Sequence, residues 1–127
     1  MIDIMTAREW LLRNRHLKQY INQLEESKKN KLVKKRSRNI SSRETEQYTE
    51  LDEEIDRQIE ELKKVRYEII TTVKKVRDNT LSALLIGHYI NNKSIPELAE
   101  SLNYSERQIV RLHKKALEEI KIITGCD

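Results

Sequence analysis

The stretch that decides the fold is Ser94-Ile95-Pro96-Glu97-Leu98-Ala99-Glu100-Ser101-Leu102-Asn103-Tyr104-Ser105-Glu106-Arg107-Gln108. It holds two helix starts around one tight turn. Ser94 followed at the third position by Glu97 is a capping box, in which hydroxyl and carboxylate satisfy orphan N–H groups reciprocally. Pro96 falls in the first turn, where a missing N–H costs nothing. Ile95, Leu98, Ala99 and Leu102 then share one helical face. Asn103 is one of the few residues besides glycine that tolerates the left-handed conformation of a tight inter-helix turn. Ser105 with Gln108 repeats the capping box and opens a last helix, which Gly125 ends. Two short helices joined by about three residues predict a helix-turn-helix.

On the last helix Ile109, Leu112, Ala116 and Ile120 fall on one side and should face the core. Half a turn away lie Arg107, Arg111, Lys114 and Glu118, flanked by Gln108, Val110 and Lys115. Forked guanidinium and amide donors reach guanine and adenine edges, and a valine offers an apolar contact to a thymine methyl. A helix start also favours phosphate. The expected interface with duplex DNA is therefore Ser105, Glu106, Arg107, Gln108, Val110, Arg111, Lys114 and Lys115. Arg107 and Gln108 are the candidates for base edges, Lys114 and Lys115 for phosphate, and Arg111 for either. The plainer alternative, a solvated face opposite a core, is disfavoured by the capped helix and tight turn ahead of it.

Working outward, a helix from about Asn79 or Thr80 to Asn91 carries Leu81, Leu84, Leu85 and Tyr89 on one face, and Asn91-Asn92-Lys93 turns the chain. Before it, Tyr48, Leu51, Ile55, Ile59, Leu62, Val65, Ile69, Val73 and Val76 recur at steps of three and four, predicting a coiled-coil-like helix from Ser42 or Arg43 to Arg77. A first helix should start after Thr6, with Glu9 at the capping position and Trp10, Leu11, Leu17, Tyr20, Ile21 and Leu24 as its apolar face. The basic segment around Lys28 to Arg38 lacks apolar periodicity and is expected as a loop or frayed turn, with the break between Val33 and Ser42.

Composition agrees with an all-α chain, a long N-terminal helical hairpin or coiled coil followed by three helices. Of 127 residues, 37% are hydrophobic and 36% charged, Phe is absent, and there are only two Gly and one Pro. Residues 1–77 are expected as an oligomerisation or interaction region and 78–127 as the DNA-binding domain. The formal charge is +4, but the charges are segregated. From Ser27 to Arg43 all are positive, and from Glu44 to Glu61 acids dominate, with Arg57 the only base. The basic run and acidic block neutralise each other across one bend, or Lys34, Lys35, Arg36 and Arg38 form a phosphate-binding arm whose substitution would flatten the salt dependence of binding.

The lone Cys126 excludes an internal disulfide and a cysteine-based zinc site. No run of eighteen apolar residues occurs and the start of the chain does not read as a secretory signal, so a cytoplasmic protein without membrane contact is expected. His16, His88 and His113 lie on separate predicted helices, and neither HExxH nor a glycine-rich phosphate loop is present. A non-enzyme with no cofactor or metal is expected, with His113 a packed histidine.

Ser94-Ile95-Pro96-Glu97-Leu98-Ala99, Leu102-Asn103-Tyr104-Ser105, Ile109 and Ala116-Leu117 together resemble the fourth region of bacterial RNA polymerase sigma factors. That helix-turn-helix reads the upstream promoter element, and the resemblance covers about 40 residues. His88-Tyr89 stands where that family usually has Arg with an aromatic. The whole chain is similar to sigma-like late-transcription regulators of Gram-positive phages and prophages, including the autolysin-regulatory type. The resemblance implies transcription regulation, a major-groove docking pose and RNA polymerase as a further partner. Val110 stands where the family commonly has an Arg, and no stretch resembles the promoter-melting second region. Two rival expectations are a DNA-packaging component resembling a phage small terminase subunit, and a coiled-coil adaptor that binds polymerase through protein contacts alone.

Overall fold

The computed structural model describes residues 5–35 and 42–126. Their regular structure is helical, with no strand among them: α1 (Ala7–Lys35), α2 (Ser42–Val73), α3 (Asn79–Leu85), α4 (Ile95–Leu102) and α5 (Glu106–Thr124). The all-α class expected from composition is what the chain adopts. The proposed arm, Lys34, Lys35, Arg36 and Arg38, and Tyr48 of the apolar seam, lie outside the residues whose side chains are described. Contacts divide the chain into two compact units, one made of residues up to Arg15 with those from Val65 onward, the other of His16–Lys64.

In the unit His16–Lys64, Ile21 and Ile55 are buried, and Leu24, Leu51, Ile59 and Leu62 are half-buried. Tyr20, expected on the apolar face, is 47% exposed. Lys28 forms an ion pair with Asp52, whose carboxylate holds the ammonium above its ordinary range. Arg57 and Gln58 bond Glu54 and hold its carboxyl below the usual range. The basic run is not a loop from Lys28 onward, because α1 continues through Lys35. Lysine is a good helix former, and the Asp52 carboxylate accommodates one charge of the run.

The other unit starts where expected, with Thr6 Oγ1 accepting the Glu9 N–H at 3.1 Å. Arg13 lies over the Trp10 ring, 4.7 Å from its centroid, and reaches Glu68 of α2 at 3.3 Å. α2 stops at Val73, not Arg77. Ile69-Ile70-Thr71-Thr72-Val73 is an unbroken β-branched run, which loses side-chain freedom in a helix. Lys75 and Val76 then make tighter bonds to the Thr72 and Val73 carbonyls, keeping Val76 buried. α3 starts at Asn79, as expected, and Asp78 caps it, its carboxylate accepting the Thr80 and Leu81 N–H groups.

The expected face of α3 is buried, with Leu81, Leu84, Leu85 and Tyr89 all at 2% exposure or less. Past Leu85 the helix loosens into one π-helical turn, Ile86–Ile90, closed by Asn91 N–H on Ile86 O. Asn92 at φ 55° reverses the chain. Leu84, Leu98, Ala99 and Ile109 form a shared core of α3, α4 and α5, with Ile95, Leu102 and Leu112 packed around it.

Candidate nucleic-acid interface

Both capping boxes form. Ser94 and Glu97 bond reciprocally, as do Ser105 and Gln108, and Asn103 between them adopts φ 59°, ψ 44°. The Asn103 and Tyr104 N–H groups both reach Ala99 O, so α4 ends and α5 begins on a backbone with little slack. Ile109, Ala116 and Ile120 are fully buried on the inner side of α5. Gly125 ends the helix at φ 74°.

All eight expected interface residues, Ser105, Glu106, Arg107, Gln108, Val110, Arg111, Lys114 and Lys115, are exposed. At about 100° per residue, Arg107, Arg111 and Lys114 lie within roughly 60° of one another about the axis, with Lys115 flanking. Among the described residues none of these four cations is held in an ion pair or hydrogen bond. Gln108 differs from the rest, because its Oε1 accepts the Ser105 N–H at 2.9 Å. A bidentate contact with adenine needs both amide atoms. Holding the cap therefore leaves Nε2 as its available donor.

The residues that steady this surface lie far away in sequence, and the reading of the chain missed them. Asn14 of α1 is fully buried, donating through Nδ2 to Tyr89 O at 3.1 Å and accepting Arg66 Nε at 2.9 Å. Arg15 donates to His88 O at 3.1 Å and to Asn92 Oδ1 at 3.3 Å. The π-helical turn and the bend before α4 are thus bonded from α1. A buried polar side chain with a partner at each end is what the cost of desolvation requires. The only signal in the sequence was Asn14 lying one turn on from Leu11, on a face otherwise apolar.

Tyr89 and His113 complete the support. Their rings stack with centroids 5.7 Å apart, the hydroxyl lies 2.6 Å from His113 Nε2, and His88 meets both rings edge-on. Burial, then the neighbouring His88 and Arg8, push the His113 imidazole down to about 4. Burial pushes the Tyr89 phenol up. Tyr89 is therefore the donor and neutral His113 the acceptor, and the packed role expected of His113 is the one it has. No helix among the described residues is long and apolar enough to cross a membrane. No family model, curated protein or solved structure matches the chain.

Proposed function

We propose that this protein is a sequence-specific regulator of transcription that binds double-stranded DNA through the α4–α5 helix-turn-helix, with α5 in the major groove. One observation carries the proposal. Arg107, Arg111, Lys114 and Lys115 project without carboxylate partners, among the described residues, from a helix whose opposite side is fully buried. A cationic face carried on a backbone fixed by two capping boxes and a left-handed turn is pre-organised, so little backbone order remains to be imposed on binding. The resemblance to the fourth region of sigma factors supports the same docking pose, and phage or prophage promoters are the proposed targets. RNA polymerase is the proposed further partner.

In this arrangement Arg107 and Arg111 reach base edges, Lys114 and Lys115 hold phosphate, and Gln108 contributes a single donor while keeping its cap. The test is the double substitution Arg107→Ala with Arg111→Ala, measured on the best site selected from a random duplex pool. Losing one bidentate contact costs about 1–3 kcal/mol of discrimination, so the double variant should bind that site at least tenfold more weakly. Its helical circular dichroism and melting temperature should not move, since neither side chain packs in the core. Unchanged affinity at the same salt would replace this reading with the protein adaptor. A ring of many subunits would favour the packaging role.

A further inference from the structure

We infer that Lys75 and Arg77, on the link between α2 and α3, join Lys115 of α5 to seat a DNA phosphodiester strand beside the recognition helix. The inference rests on the DNA-binding reading above and extends the contact surface to an element that reading does not use. Lys75, Arg77, Asp78, Lys115 and Glu119 line a groove of about 330 Å³ floored by Leu81 and neighbouring apolar side chains. That volume equals about ten waters, enough for a hydrated phosphate group.

The charges in the groove are unequally committed. The Asp78 carboxylate is engaged by the Thr80 and Leu81 N–H groups, whereas half-buried Glu119 has no ion-pair partner among the described residues and sets one charge against three cations. Lys75, Arg77 and Lys115 are exposed and, among the described residues, have no ion-pair partner. The backbone that carries the first two is held firmly. Lys75 N–H bonds Thr72 O, Val76 N–H bonds Val73 O, and Ser82 Oγ donates to Val76 O at 3.2 Å. Buried Val76 separates these two exposed cations.

Lys115 makes the groove continuous with the cationic side of α5. It stands one turn beyond Arg111, about 6 Å along the helix and roughly 40° around it. A row of cations running from a helix face into a neighbouring groove suits an extended polyanion. Each phosphate so neutralised releases condensed counterions and steepens the salt dependence of binding.

The experiment is a salt titration of the full chain on its best duplex and on an unrelated duplex, comparing wild type with Lys75→Gln plus Arg77→Gln. Losing two phosphate contacts lowers the slope of log K against log salt by about 2, so between about 50 and about 200 mM salt the variant loses roughly tenfold less affinity than wild type. The change should be equal on both duplexes, leaving sequence preference and melting temperature as they were. Lys18→Gln plus Lys63→Gln removes the same charge from the other unit and should keep the wild-type slope. A wild-type slope in the Lys75/Arg77 variant, or an equal fall in the control, overturns the inference while leaving DNA binding standing. A wild-type chain that binds no duplex at low salt removes the DNA reading itself, and the phosphate seat with it. Should the double variant fail to fold, the single substitutions Lys75→Gln and Arg77→Gln must each lower the slope by about 0.9.

Discussion

The Tyr89 hydroxyl and His113 Nε2, 2.6 Å apart, tie the π-helical turn after α3 to α5, the helix that carries the cationic face, through a neutral imidazole. Its consequence is a pH dependence of stability with a definite sign. An unfolded histidine takes a proton near pH 6.5, and folded His113 does so only at about 4. The unfolded chain therefore binds more protons between those values. The contribution is fully present above about pH 6.5 and is lost progressively as pH falls toward 4. By pH 5 the loss should be about 1 kcal/mol, once the solvent that screens this partly buried site is allowed for. Chemical denaturation of wild type and His113→Gln at pH 7.5 and pH 5 measures it. The variant should lose less stability over that interval, and equal losses would mean that His113 titrates normally in the folded chain.

Among the elements, α4 and α5 owe their positions to devices a few residues long. Ser105→Ala removes the Oγ that accepts the Gln108 N–H, and should cost about 1 kcal/mol, seen as a lower urea midpoint at unchanged slope. Ser105→Asp, which keeps an acceptor at the cap, should restore the midpoint. A Ser105→Ala chain as stable as wild type would show that the cap is not what starts α5. These same devices explain how much could be read in advance. Ser94, Glu97, Asn103, Ser105, Gln108 and Gly125 act through neighbours within four residues, so the sequence displays them together. The end of α2 was less legible, because apolar periodicity continues to Val76 while the β-branched run stops the helix at Val73. The π-helical turn at Ile86–Ile90 and the Asn14 bonds left almost no local trace. Asn14 is 75 residues from Tyr89 and 52 from Arg66. The cationic face of α5 was legible as a pattern, and so was the tie of Gln108 to its own cap, which limits the base contact also expected of it.

For the molecule as a whole, Leu51, Ile59 and Leu62 remain only half-buried in the unit His16–Lys64. This suits the proposal that the long helices self-associate, since burying such side chains contributes about 25 cal/mol per Å² of apolar surface. Ile59→Lys with Leu62→Lys should lower the mass found by sedimentation equilibrium, or melt the helices. A wild-type chain that stays monomeric at high concentration would make α1 and α2 an intramolecular pair alone. One further consequence follows from where the partners of Asn14 lie. The unit that carries α3–α5 also takes in the chain up to Arg15, and is interrupted by His16–Lys64. The Tyr89 carbonyl that Asn14 bonds is synthesised 75 residues after it, a delay of roughly 4–15 s at ordinary translation rates. The helical segment between them is made before Tyr89, so it has time to form while Asn14 waits for its partner. The bond that steadies the cationic surface therefore closes only after the intervening helices have been made.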